Sequence, residues 1–177
     1  MIQIDTFTDK VLGGNPAAVC PLEEWLEVRV MQAIAAENNL SETAFFVPAD
    51  DGYALRWFTP NVEVGLCGHA TLAAGEIVLS DLEPGADRAV FQTKSGILTV
   101  ARDGDNFVMD FPAQPAEPHA APKNLLAGLG AAPAEVLAGA DYIAVYDSAA
   151  EVAALSPDLD CFCRLDRRGV VATAPGG

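Results

Sequence analysis

Three side chains of this 177-residue chain combine chemistry with a promising local setting: Glu42, Cys67 and His69. His69 is one of only two histidines and Cys67 one of four cysteines. Both stand in the run Glu63-Val64-Gly65-Leu66-Cys67-Gly68-His69-Ala70-Thr71, introduced by Phe58-Thr59-Pro60-Asn61. A strand-like segment meets a proline turn there, and a glycine-containing corner opens into an apolar-periodic helix. The first amides of a helix lack partners and carry the positive end of its dipole, so the corner suits a carboxylate or a developing anion. At such a place a histidine is either a structural residue bonded to a neighbour or a group that orients substrate and donates a proton. The thiol has two readings as well: a thiolate activated by the helix dipole, or a small residue packed into a tight corner. Glu42 follows Ser41 and precedes the apolar run Ala44-Phe45-Phe46-Val47. It is either a solvated glutamate at a strand end or a partly desolvated carboxylate suited to general-base work.

The elements that must position these residues follow from hydrophobic period and turn chemistry. Alternation predicts strands at 2–7, 17–20, 43–47, 53–58, 89–93, 97–101 and 107–111. A 3.6-residue period predicts helices at 23–38 and 69–79, the first ending at Asn38-Asn39 and the second carrying a stripe of small alanines. The first 112 residues thus alternate β-hairpins with two helices, an α+β pattern. Pro112-Ala113-Gln114-Pro115-Ala116-Glu117-Pro118 reads as a linker, with a first lobe over 1–114 and a partial second lobe over 115–177. In that second part the pattern predicts helices around 125–129 and 149–155 and strands at 142–146 and 169–174. His119 falls in the linker and is expected to be solvated.

Composition excludes several classes. Formal net charge is −15, from 10 basic and 25 acidic residues, so a polyanionic nucleic acid is not an expected partner. No apolar run is long enough to cross a bilayer, and the first residues lack the pattern of a signal peptide; a cytoplasmic, membrane-free setting is the expectation. Cys20, Cys67, Cys161 and Cys163 do not form a zinc pattern with the two histidines, and most are expected to be reduced, buried small hydrophobes. Gly13-Gly14-Asn15-Pro16 lacks the third glycine of a dinucleotide fingerprint, and no P-loop, serine nucleophile elbow or H-E-x-x-H run is present.

Several segments, in order, resemble the phenazine-biosynthesis isomerase-like (PhzF-like) family: Asp5-x-Phe7, Gly14-Asn15-Pro16-Ala17, Glu37-x-Asn39-Leu40-Ser41-Glu42-Thr43-x-Phe45, Arg56-Trp57-Phe58-Thr59-Pro60, Leu66-Cys67-Gly68-His69-Ala70-Thr71, Phe91-x-Thr93-x-Ser95-Gly96, Met109-Asp110-Phe111-Pro112 and Gly169-Val170-Val171-Ala172-Thr173-Ala174. The resemblance implies the diaminopimelate-epimerase-like fold, two similar lobes each made of a bent mixed sheet around a central helix, the second incomplete here, with an active site between them and a homodimeric assembly. It implies a cofactor-free isomerase with no metal, shifting a proton on a small carboxylate-bearing molecule as in the isomerisation of trans-2,3-dihydro-3-hydroxyanthranilate. Glu42 would be the acid/base and His69 its orienting partner, while Cys67, Gly68, His69 and Ala70 would hold the substrate carboxylate. Related epimerases use a cysteine at the position of Cys67, which makes a Cys67-dependent amino or hydroxy acid racemase the second expectation. The family carries a further Asp- and Ser-containing segment that would follow Gly177, and its absence from this chain keeps open a third expectation, a catalytically silent small-ligand binding protein.

Overall fold

The computed structural model describes residues 1–10, 12–111 and 113–176. The chain divides into two compact units, Met1–Phe111 and Pro112–Gly177. In the first unit, β1 (Ile2–Thr6) and β2 (Asn15–Pro21) pair antiparallel, α1 (Val28–Asn38) crosses over, and β3 (Thr43–Ala49) joins β2 in parallel. β4 (Gly52–Phe58) returns antiparallel to β3 and carries the short β5 (Glu63–Val64) along its free end. The second crossover is α2 (Gly68–Ile77), continued by a π-helical turn at Val78–Leu82. It leads to β6 (Arg88–Thr93), parallel to β4, and then to the antiparallel β7 (Gly96–Asp103) and β8 (Asn106–Met109). The result is a curled mixed sheet in the order β1-β2-β3-β4-β6-β7-β8.

Alternation along the strands sorts side chains between two cores. One face points Ala17, Val19, Ala44, Phe46, Leu55, Trp57, Phe91 and Val100 at α2, which answers with Ala70, Ala73, Ala74 and Ile77. Alanines on the helix let the sheet close around it, and the approach is tightest at Gly75, where a Cβ would stand 2.5 Å from Val100 Cβ and 2.6 Å from both of its methyls. The opposite face buries Cys20, Phe45 and Phe58 beneath Met31 and Ala35 of α1. No helix among the described residues is long and apolar enough to cross a membrane.

Local departures from the sequence expectations have physical causes. α1 begins at Val28, five residues later than its apolar period suggests, because the Leu22 amide still donates to the Phe46 carbonyl at 2.9 Å and keeps the chain extended beside β3. Its C-terminus is where Asn39 adopts φ 51° and donates from its amide to the Ala35 carbonyl. The second unit holds more strand than the pattern predicts. β9 (Glu117–Pro118) and β10 (Glu135–Ala138) join β11 (Tyr142–Val145) and β12 (Val170–Thr173) in a four-stranded sheet ordered β12-β11-β10-β9. The proline-rich run is therefore not a plain linker: Pro118 pairs with Leu137, and the His119 ring packs edge-on against Tyr142 at 5.6 Å, though His119 stays exposed as expected. Short helices α3 (Lys123–Leu129), α4 (Ala149–Ala153) and α5 (Leu159–Phe162) flank this sheet, and Leu125, Leu129, Val136, Tyr142, Ala144 and Tyr146 form its core.

Candidate active site

Glu42, Cys67 and His69 come together. Glu42 ends the loop after α1, one residue before β3, and its carbonyl accepts from the Ala18 amide of the neighbouring strand at 3.3 Å. Asn38 Nδ2 donates to Thr43 Oγ1 at 3.2 Å and ties the same loop to the end of α1. Cys67 is the N-cap residue of α2, with extended backbone, and His69 lies in the first turn. The corner that carries them is pinned from both sides. Arg56 on β4 holds Glu63 with two hydrogen bonds of 2.8 and 2.9 Å, and Lys94 Nζ reaches the same carboxylate at 2.7 Å. Ser95 Oγ donates to the Gly65 carbonyl at 2.8 Å, and the buried Thr71 hydroxyl donates back to the Cys67 carbonyl.

His69 Nε2 lies 3.5 Å from Glu42 Oε2, with side chains 10% and 20% exposed. The pair is close but not aligned for a hydrogen bond, so Nε2 is a buried ring nitrogen without a hydrogen-bond partner among the described residues. The other ring nitrogen, Nδ1, stands 3.5 Å from Cys67 Sγ. One donor atom from each of the three residues can be chosen so that all lie within 4.8 Å of one another. Unpaired buried polar atoms are uncommon and costly, so this nitrogen calls for a partner such as a water or a ligand.

Electrostatics separates the thiol from the carboxylate. Burial pushes the Cys67 thiol up to about 12, reinforced by the neighbouring Glu42 carboxylate; the amides of His69 and Ala70 pull the other way and lose. Of the two readings of the thiol, burial favours the packed neutral one: the helix dipole is present, but desolvation and a nearby negative charge outweigh it. Glu63 moves the other way, to about 2, because hydrogen bonds from Arg56 lead the stabilisation of its charged form and Lys94 adds to them. Of the residues expected to hold a carboxylate, Ala70 is fully buried and can offer only its amide. Gly68 has open space on its Cα: an added Cβ would meet only the Phe111 ring at 3.6 Å, an ordinary contact.

The cysteines divide as well. Cys20 and Cys67 are buried, Cys161 is half-buried and Cys163 exposed, and all four are free. The expectation of buried small hydrophobes holds for the first two only, because the Cys161-Phe162-Cys163 run sits on and just after the short α5 with just Phe162 turned toward the core. Sequence reasoning missed the supporting roles of Arg56 and Ser95; their spacing to Glu63 and Gly65 carries no local signal, since the contacts are made across strands.

Comparison with known proteins places the fold in a family. The family model described as phenazine biosynthesis-like protein (PhzC-PhzF) matches residues 4–176. An uncharacterized isomerase of Pseudomonas aeruginosa is 52% identical over 98% of this chain and 67% of its own length. An uncharacterized isomerase of Halalkalibacterium halodurans is 44% identical over 97% of this chain and 66% of its own. The crystal structure of a PhzF-family phenazine biosynthesis protein from Enterococcus faecalis superposes with a TM-score of 0.89 at 42% identity, covering 96% of this chain and 66% of that one. The chain spans about two thirds of the length of these relatives. With its α+β curled sheet wrapped on a central helix, it belongs to the phenazine biosynthesis-like PhzC-PhzF family.

Proposed function

We propose that this chain carries the acid/base half of an isomerase site, with Glu42 moving a proton between two carbons of a small carboxylate-bearing molecule of the trans-2,3-dihydro-3-hydroxyanthranilate type. The observation that carries the proposal is the Glu42–His69 pair at the start of α2, 3.5 Å apart, with His69 Nε2 buried and unpartnered. Family membership and the isomerase names of its relatives support it.

The Glu42 carboxylate takes the proton from an acidified C–H, becoming a carboxylic acid, and the electron pair left behind delocalises toward an adjacent unsaturation. The first turn of α2 lends positive potential to the developing anion and to the substrate carboxylate, and Gly68 lets that group approach the backbone. His69 Nε2 bonds a polar substituent and fixes which carbon faces Glu42. The same carboxylic acid then returns its proton to the other end of the conjugated system, restoring the carboxylate. One group serving both ways needs a positioned substrate more than it needs a second catalyst. Burial that holds Cys67 as a thiol favours Glu42 over Cys67 as the proton-abstracting base.

The test is deuterium wash-in from D₂O followed by NMR, with trans-2,3-dihydro-3-hydroxyanthranilate as probe. Glu42→Gln is expected to slow exchange by roughly 10²–10⁴-fold, the usual contribution of a positioned acid/base group, while Cys67→Ala keeps it within a few-fold. Loss in Cys67→Ala with retention in Glu42→Gln would overturn the assignment. An unsubstituted chain that binds the probe without exchange would leave ligand binding, not catalysis, as the function.

A further inference from the structure

We infer that Cys67, His69 and Glu42 form a site for a thiophilic divalent cation such as Zn²⁺, and that the ion inhibits by occupying the proton-transfer carboxylate. The three residues offer sulfur, nitrogen and oxygen, the donor set that suits zinc. Their donor atoms already lie within 4.8 Å of one another before any ion is present.

The distances are those of a chelate. Zinc bonds measure about 2.3 Å to sulfur and about 2.0–2.1 Å to imidazole nitrogen. An ion at those distances from Cys67 Sγ and His69 Nδ1, which are 3.5 Å apart, subtends an S–Zn–N angle of about 107°, close to tetrahedral. The third ligand is a Glu42 oxygen, and the fourth position is left to water or to a carboxylate ligand. With Nδ1 on the ion, the ring proton resides on Nε2, the buried nitrogen that faces Glu42 Oε2 at 3.5 Å. Binding converts the Cys67 thiol into a zinc thiolate and releases one proton to the buffer.

The other clusters of thiols and acids do not match this one. Cys161 Sγ donates to Asp158 Oδ2 at 3.4 Å on an exposed turn, with no imidazole completing a set among the described residues. Cys161 and Cys163 therefore serve as internal controls.

That the ion inhibits rests on the reading of Glu42 as the base; that it binds does not. The experiment is calorimetric titration of the reduced 177-residue chain with zinc chloride, in two buffers of different ionisation enthalpy so that proton release is counted. One ion per chain and about one proton released per ion are expected, unchanged in the Cys161→Ser/Cys163→Ser variant and weakened at least ~10-fold in Cys67→Ser and in His69→Gln. Substituting Co²⁺ for Zn²⁺ adds a thiolate-to-cobalt charge-transfer band that Cys67→Ser abolishes. Should Cys67→Ser fail to fold, as judged by circular dichroism, His69→Gln and the more exposed Glu42→Gln carry the same comparison. Zinc binding that survives in both His69→Gln and Cys67→Ser, or that is lost only with Cys161 and Cys163, overturns the site. Zinc bound here with undiminished deuterium exchange leaves the site standing and overturns both the inhibition and the assignment of Glu42 as base.

Discussion

Gly75 sits in the middle of α2, and Gly75→Ala separates two physical effects by sign. An alanine in a helix interior is favoured over glycine by about 1 kcal/mol, so propensity alone predicts a more stable protein. Packing predicts the reverse. The new Cβ would stand 2.5 Å from Val100 Cβ and 2.6 Å from each Val100 methyl. Carbon atoms in contact need about 3.5–4.0 Å, so α2 and β7 must part by about 1 Å. Val100 is fully buried and cannot turn aside, because a β-branched side chain has little χ1 freedom. Overpacking of this kind costs about 1–3 kcal/mol, and the stiffness of both neighbours places it toward the upper end. After the gain in helix propensity, a net loss of about 1–2 kcal/mol remains, which lowers Tm by roughly 4–8 °C for a unit of this size. Thermal unfolding followed by circular dichroism reads the shift. Val100→Ala removes two of the three clashing atoms, so the double variant should show a coupling of at least ~0.5 kcal/mol. A Gly75→Ala chain with raised Tm, or a cycle without coupling, would refute the packing account. The same parting of α2 from the sheet would move His69 relative to Glu42, so the variant should also lose deuterium exchange.

Three further outcomes follow from the electrostatics and the open helix start. The Cys67 thiol, at about 12 against an ordinary 9.0, should react with iodoacetamide at pH 8 on the order of a thousandfold more slowly than an unburied thiol; peptide mass spectrometry should find Cys163 modified first, and equal labelling of Cys67 would overturn its burial as a neutral group. Glu63 is depressed from 4.5 to about 2, so its pairing stabilises the fold fully above about pH 4.5 and is lost as pH falls toward 2. The shift corresponds to about 3 kcal/mol, brought nearer 2 by screening at the exposed Lys94; Glu63→Gln should therefore flatten acid unfolding over that range, and an unchanged acid limb would remove the pairing from the account. Gly68→Ala should leave Tm within a degree or two yet raise the KM for a carboxylate substrate, since the added methyl meets only Phe111 at 3.6 Å in the chain but stands where a ligand approaches the backbone; a fall in Tm with unchanged KM would show that the glycine serves the fold.

Much of this was legible in the sequence because it is local. The N-terminus of α2 at the Cys67-Gly68-His69 corner, the asparagine end of α1 and most strand centres are set by period and turn chemistry, which act over a few residues. The start of α1 was not legible, since a long-range bond from Leu22 to Phe46 overrides the apolar period after residue 22. Strand β10 was missed for a related reason: Glu135-Val136-Leu137-Ala138 is short and barely alternating, and it becomes a strand through pairing with Tyr142–Val145. In the site, residue types pointed to Glu42, Cys67 and His69, but their sequence separation carried no distance. Which of the two readings of Cys67 applies was not legible, because helix position is visible in a sequence, whereas the depth of burial and the approach of the Glu42 carboxylate are not.

The neutral thiol also gives the site its division of labour. Two groups that change charge within a few ångströms of each other titrate as a coupled pair, and neither then holds a fixed protonation state through a reaction. Holding Cys67 as a thiol removes one such partner from beside Glu42. It also keeps a second negative charge away from the end of α2, where the substrate carboxylate and the developing carbanion would have to compete with it for the same positive potential. Under the proposed assignment, Glu42 is left as the acid/base of the cluster and His69 as the group that bonds the substrate. By this argument a change that restores a charge at position 67 should harm catalysis more than one that removes the sulfur. Cys67→Asp, with no methyl branch to displace, places a second carboxylate beside Glu42 and should abolish exchange, while Cys67→Ala retains it.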